Sequence, residues 1–268
     1  MVTADCGSQI RTVLKYQSKK TALVTGAAKR IGRAIAEDLA EQGFAVAIHA
    51  NTSLGDAEDL AATLRKKGHV AQAFKADLRE TAQTTALIGE VNAAFGPLGL
   101  LVNNASVFRH DSVDVFDAEI WDAHFSLHLR APSLLAAEFA RQLPVDAGGL
   151  IVNIVDQRVM ALNPRFYSYT LSKSALWTAT QTMAQSLAPR IRVNAIGPGP
   201  SMPSPRQTMA DFQAQIDGLI LKAGPQPAEF GRTIRFLFDT PSITGQMIAL
   251  DGGQHLAWQT PDVAEIAE

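Results

Sequence analysis

A chain of 268 residues is long enough to fold as one large domain around a well-buried core. With 47% hydrophobic and 19% charged residues it reads as an ordinary globular protein, and a net charge of −2 gives no reason to expect nucleic acid or an anionic membrane as partner. Cys6 is the only cysteine, which excludes an intrachain disulfide and suits a reducing, cytoplasmic setting. No apolar run approaches the length of a membrane helix, and the N-terminus lacks the apolar core of a secretory signal.

Residues 1–19 read as an irregular extension, 20–258 as the folded domain and 259–268 as a loose acidic tail. From Thr21 onward, short apolar runs alternate with helical patterns. TALVT (21–25), AVAIHA (45–50), VAQAFKA (70–76), LLVNNA (100–105), GLIVNIV (149–155), RIRVNAI (190–196) and QMIALD (246–251) read as strands. Runs so continuously apolar suit a parallel sheet covered on both faces. Between the first two, Ile31, Ile35 and Leu39 recur at helical spacing, and Gly43 offers a stop. Further helices fit 56–67, 81–95, 117–142, 168–188 and 226–238. The alternation predicts a single-domain α/β fold, a Rossmann-type doubly wound sheet of seven parallel strands. The segment 197–207 carries Pro198, Pro200, Pro203 and Pro205 and reads as a stiffened lid rather than a helix.

Chemistry concentrates at two places. TGAAKRIG (25–32) joins the first strand to the first helix, where helix-end N–H groups and the positive end of the dipole meet a dinucleotide pyrophosphate. Farther on, Tyr169 precedes Lys173 by four residues, so both side chains share one helix face and the ammonium can favour the ionised phenol. Asp156 stands thirteen residues before the tyrosine, at an apolar strand end. Burial there raises a carboxyl pKa and lets the group carry a proton.

These motifs resemble the classical short-chain dehydrogenase/reductase family over about Lys20 to Gly253. Thr25, Gly26 and Gly32 match its TGxxxGxG turn, with Arg30 at the middle glycine. NNAS (103–106) stands for NNAG, and GPGP (197–200), LDGG (250–253) and the YxxxK of Tyr169 and Lys173 match as well. Asp156 replaces the usual serine. Together with Arg30 and NNASxF (103–108), it makes the chain similar to pteridine reductases and dihydromonapterin reductases.

The resemblance implies an NADP-dependent enzyme. The second strand ends HANTS (49–53) without the acid that an NAD-specific site uses, and Asn51, Thr52 and Ser53 can donate to a 2′-phosphate. Lys29 is read equally as a phosphate contact or a surface charge, and Asp77 as an adenine contact or a helix N-cap. The remaining cofactor positions implied are Ile31, Leu78, Asn104, Ala105, Ser106, Pro198, Gly199 and Ser201. On the substrate side the resemblance implies Arg30, Ser106, a stacking Phe108, Asp156 and Tyr169. Tyr169 would donate the proton, Lys173 would lower its pKa and hold ribose, and Asp156 would supply or relay a second proton. A serine polarises a carbonyl, whereas a protonated Asp fits a C=N bond, so a pterin is the expected substrate.

The alternatives are a reductase of a ketone, sugar or 3-oxoacyl thioester, and a non-catalytic dinucleotide sensor. His128 stands where the family has an asparagine whose main-chain carbonyl holds a relay water. His124 and His128 have a metal-compatible i, i+4 spacing, but Phe125 replaces the Glu of HExxH, so no metal is expected. Ala- and Leu-rich helices at 117–142 and 168–188, with Trp121 and Trp177, carry more apolar surface than one sheet face needs, and a homotetramer is expected.

Overall fold

The seven apolar runs form one parallel sheet: β1 (Thr21–Val24), β2 (Ala45–Ala50), β3 (Ala71–Lys75), β4 (Leu100–Asn103), β5 (Gly149–Ile154), β6 (Ile191–Pro198) and β7 (Met247–Leu250). The order across the sheet is β3-β2-β1-β4-β5-β6-β7, with β1 hydrogen-bonded to β2 on one side and β4 on the other. The computed structural model describes residues 19–203 and 207–258. The expected extension up to residue 18, the tail and Pro205 of the lid lie outside the described residues.

The helices are α1 (Arg30–Glu41), α2 (Leu54–Lys66), α3 (Thr81–Phe95), α4 (Ala118–Phe125), α5 (Ala131–Gln142), α6 (Tyr167–Leu187), α7 (Met209–Asp217) and α8 (Pro227–Asp239). One apolar layer joins α1, α2 and α8 to one sheet face through Ile35, Leu39, Leu60, Leu64, Phe230 and Ile234. The other joins α3, α5 and the end of α6 to the opposite face through Leu87, Ile88, Leu135, Phe139 and Ala184. Covering both faces explains why β1, β4 and β5 are buried at every position and read as unbroken apolar runs. Edge strand β3 exposes Gln72 and Lys75, and edge strand β7 is half-buried throughout.

One expectation needs correction. The predicted helix 117–142 is broken by a π-helical segment, Ser126–Arg130, between α4 and α5. Pro132 has no N–H to return to the carbonyl of His128, so the regular ladder cannot run through this point. Helix α7, which the sequence reading did not include, follows directly after the proline-rich stretch. Thr208 caps it in a reciprocal box with Asp211.

The sheet order reverses between β1 and β4. The chain leaves them for helices on opposite faces of the sheet, α1 after β1 and α5 after β4, and the crevice at such a point is where open α/β sheets bind ligands. The turn after β1 and the NNAS segment after β4 therefore face each other.

Candidate active site

The glycine turn is held from three sides. Gly26 adopts φ +61, and its N–H donates to Nδ1 of His49 at 3.1 Å. The Oγ1 of Thr25 accepts from the backbone N–H groups of Asn104 and Ala105, both at 2.9 Å. The Asn104 amide donates to the carbonyls of Thr25 and Gly26 at 2.8 and 3.0 Å. A Cβ on Gly32 would collide with the Gly26 carbonyl and the Asn104 amide, so glycine is what lets α1 begin so close to the turn. Arg30 takes the left-handed conformation, φ 55, at the family's middle glycine. Its guanidinium crosses the cleft mouth to the carbonyls of Pro203 and Met202 at 2.9 and 3.2 Å.

Both residues with two readings have a partner in the structure. Lys29 pairs with Asp56 at 2.9 Å on the surface. Asp77 does not cap α3, whose N-cap is Glu80. Its carboxylate instead takes a two-pronged contact from Arg79 at 3.0 and 2.6 Å. That hydrogen bonding, chiefly from Arg79, lowers the Asp77 pKa to about 2.

His124 and His128 are both held by hydrogen bonds at their two ring nitrogens. Each accepts a backbone N–H at Nε2, His128 from Val107 at 3.2 Å and His124 from Arg109 at 3.2 Å. A backbone amide only donates, so the proton of each ring sits on Nδ1. Each Nδ1 faces a serine of α6, Ser172 at 2.8 Å and Ser168 at 2.7 Å. Burial lowers both imidazole pKa values, so the pair stays neutral and clasps the loop after β4 onto α6. Ser106 Oγ lies 2.9 Å from the same His128 nitrogen.

The start of α6 is anchored by buried Asp111. Its carboxylate accepts the Ser168 N–H at 3.2 and 3.1 Å, where an anion also suits the helix dipole. The next residue is Tyr169, buried, whose hydroxyl donates to Asp156 Oδ2 at 2.9 Å. Asp156 Oδ1 accepts the Arg158 N–H at 2.9 Å. Burial raises the Asp156 pKa. Lys173 Nζ donates to the Ile154 carbonyl at 2.7 Å, and burial lowers its pKa to about 8, leaving the ammonium predominant at neutral pH. Burial, followed by the Asp156 carboxylate, pushes the phenol well above its ordinary value.

Beside the phenol stands an aromatic wall. Phe108 meets Tyr169 edge-on at 4.6 Å and stacks on Phe166 at 4.2 Å. The Arg158 guanidinium lies 5.3 and 5.0 Å from these two phenylalanine rings. All of this borders one cleft of about 1180 Å³. Every cofactor and substrate position expected from the sequence, from Gly26 to Ser201, lines it. Sequence reasoning missed His49, Arg79, Gln157, Arg158, Phe166 and Gln254, which line it too.

The short chain dehydrogenase family model matches residues 20–224. The chain belongs to this family. A short-chain type dehydrogenase/reductase of Picea abies is 35% identical over 68% of this chain and 70% of its own. A 3-oxoacyl-[acyl-carrier-protein] reductase of Staphylococcus aureus is 30% identical over 88% of this chain and 98% of its own. Among solved structures, FolM alternative dihydrofolate reductase 1 of Brucella canis, complexed with NADP, superposes with a TM-score of 0.89 at 54% identity, covering 91% of this chain and 96% of that one. A blue fluorescent protein from a metagenomic library, complexed with NADPH, gives 0.81 at 28% identity, with coverage of 89% and 98%. Among its short-chain dehydrogenase relatives, then, the chain is similar both to a carbonyl reductase and, more strongly, to the FolM group.

Proposed function

We propose that this short-chain dehydrogenase is an NADPH-dependent reductase of a C=N bond in a pterin. The observation that carries the reading is Asp156, whose carboxylate holds the hydroxyl of Tyr169 at 2.9 Å and whose pKa is raised by burial. A group so placed is a proton store beside the phenol, suited to a ring nitrogen gaining a proton.

The residues present fit NADP. The turn has its glycine approach at Gly26 and Gly32, the tip of β2 offers Asn51, Thr52 and Ser53 without an acid, and Arg30 and Arg79 add positive charge to the cleft lining. The nicotinamide, when bound, supplies hydride. The chain does the rest. Tyr169 donates the one proton the ring nitrogen needs, and Asp156, hydrogen-bonded to the phenol, holds a proton on its carboxyl that can be returned to the phenolate. Lys173 places an ammonium under the site for a ribose hydroxyl. Phe108 offers an aromatic face, and Ser106, fixed beside His128 Nε2, offers a hydroxyl to the polar edge of the substrate. The His124–His128 clasp keeps Ser106 and Phe108 at their distance from Tyr169. The likeness to FolM supports the pterin reading, and the acyl-carrier-protein reductase supports a carbonyl alternative.

A spectrophotometric assay separates the two. Dihydrobiopterin, dihydromonapterin and dihydrofolate should oxidise NADPH, whereas ketones and 3-oxoacyl thioesters should not. Reduction of carbonyl compounds alone, untouched by Asp156→Ser, would end the pterin assignment. NADPH should bind more tightly than NADH by about 1–3 kcal/mol, for one or two charge-assisted phosphate contacts. We also propose a cytoplasmic homotetramer. Exposed Val113, Val115 and Phe116 precede α4, where Phe116 meets Trp121, and offer an apolar surface for another copy that light scattering would detect.

A further inference from the structure

A side cavity of about 220 Å³ adjoins the main cleft, lined by Ala161, Leu162 and Asn163. Gln157, Arg158 and Gln254 line both spaces and form the junction between them. Two polar groups at this junction have nothing to bind. Gln157 is 6% exposed, and its Oε1 has no hydrogen-bond partner. Arg158 Nη1 is buried and equally without a partner. The nearest carboxylate to the guanidinium is Asp156, with Nε to Oδ1 at 3.9 Å, beyond hydrogen-bonding distance. If Asp156 carries a proton during turnover, even that compensation disappears.

An unpaired buried donor or acceptor is costly, and a guanidinium most of all, so this pairing of side chains makes sense when a ligand completes it. The Arg158 stem and plane are already ordered beside Phe108 and Phe166, which lowers the entropy lost on binding.

We infer that Gln157 and Arg158 form a subsite for an anionic tail on the substrate, a carboxylate received by Arg158 with a neighbouring N–H received by the Gln157 carbonyl. The tail would leave the reacting ring beside Phe108 and run towards the side cavity. An N-acyl amino acid has this donor-and-carboxylate chemistry. The choice of probes rests on the pterin reading: dihydrofolate carries a p-aminobenzoylglutamate tail, and dihydrobiopterin a short uncharged one.

The experiment measures kcat/KM for both with NADPH, in the wild type and in Arg158→Met, which keeps an apolar stem by the rings and removes the charge. The ratio of dihydrofolate to dihydrobiopterin cancels any effect that Arg158 has on Asp156 and on turnover in general. It should fall at least tenfold, through the KM for dihydrofolate. Arg158→Lys, which keeps the charge without the planar fork, should lose about threefold and serves if the Met variant does not fold. An unchanged ratio in whichever variant folds would overturn the subsite. In parallel, p-aminobenzoylglutamate alone is titrated calorimetrically into protein saturated with NADP. Binding that weakens tenfold or more with the arginine substitution supports the subsite, and absent or unaltered binding overturns it. If no pterin is reduced, the proposed function fails, and this titration alone decides the subsite.

Discussion

His49 makes a prediction that reaches from one buried ring to the pH range in which the phosphate turn survives. The residue is 2% exposed. Its Nδ1 accepts the Gly26 N–H at 3.1 Å, so the ring proton lies on Nε2, which donates to the Ala76 carbonyl at 3.0 Å. Burial lowers its pKa from 6.5 to about 4, against smaller opposing effects of the Ala76 carbonyl and Asp77. The unfolded chain takes up a proton below pH 6.5 and the folded one only near pH 4. His49 thus contributes stability that is fully present above pH 6.5 and is lost as pH falls towards 4. At about 1.4 kcal/mol per pH unit of that window, acidification from pH 7 to 4.5 removes about 2–2.5 kcal/mol. His124 and His128 act in the same direction, so the wild type alone does not isolate the effect. His49→Asn does, because its Oδ1 can accept from Gly26 without titrating. Urea unfolding of both proteins at pH 7, 5.5 and 4.5 should show the stability gap between them shrink by about 2 kcal/mol on acidification. Parallel curves would refute the buried neutral imidazole.

Tyr169→Phe removes only the hydroxyl and should lower kcat by about 10² to 10⁴, with NADPH affinity by calorimetry little changed. Asp156→Asn tests the proton store. Activity that needs the protonated carboxyl declines as pH rises through its raised pKa, and in the variant that limb of the pH–rate profile should vanish along with most of the turnover. Gly32→Ala should cost about 1–3 kcal/mol by chemical denaturation and weaken cofactor binding, because the new methyl meets the Gly26 carbonyl and the Asn104 amide. A variant as stable as the wild type, with unchanged affinity, would show that the turn relaxes freely.

The sequence by itself determined the parts of this protein that depend on spacing along the chain. Strands buried on both faces had to be apolar at every position, so β1, β4 and β5 were visible as unbroken runs, and strand–helix alternation led to the doubly wound sheet. Tyr169 and Lys173 were legible because four residues on a helix make one face, and the glycine turn because it had to lie between the first strand and helix. Helix α7 was also within reach: Thr208 and Asp211 are a local capping signature, overshadowed by the prolines before it.

Other features were decided by contacts that only the folded topology creates. His49 reads as a polar interruption in an apolar strand until β1, β2 and β3 lie side by side and bring Gly26 and Ala76 to its two nitrogens. The spacing of His124 and His128 was visible, but it would serve a metal and a serine clasp equally. The clasp itself is formed by Ser168 and Ser172, forty-four residues away in each pair. Asp111 became the anchor of α6, and Arg158 the neighbour of two phenylalanines, by the same route. The tyrosine's pKa shows the difference most directly. Helical spacing brings the lysine close, but depth in the fold and the Asp156 carboxylate, thirteen residues away on another element, push the phenol the opposite way. Periodicity records which side of an element is buried. Hydrogen-bond partners and local dielectric depend on which elements meet, and that is settled only when the sheet is assembled.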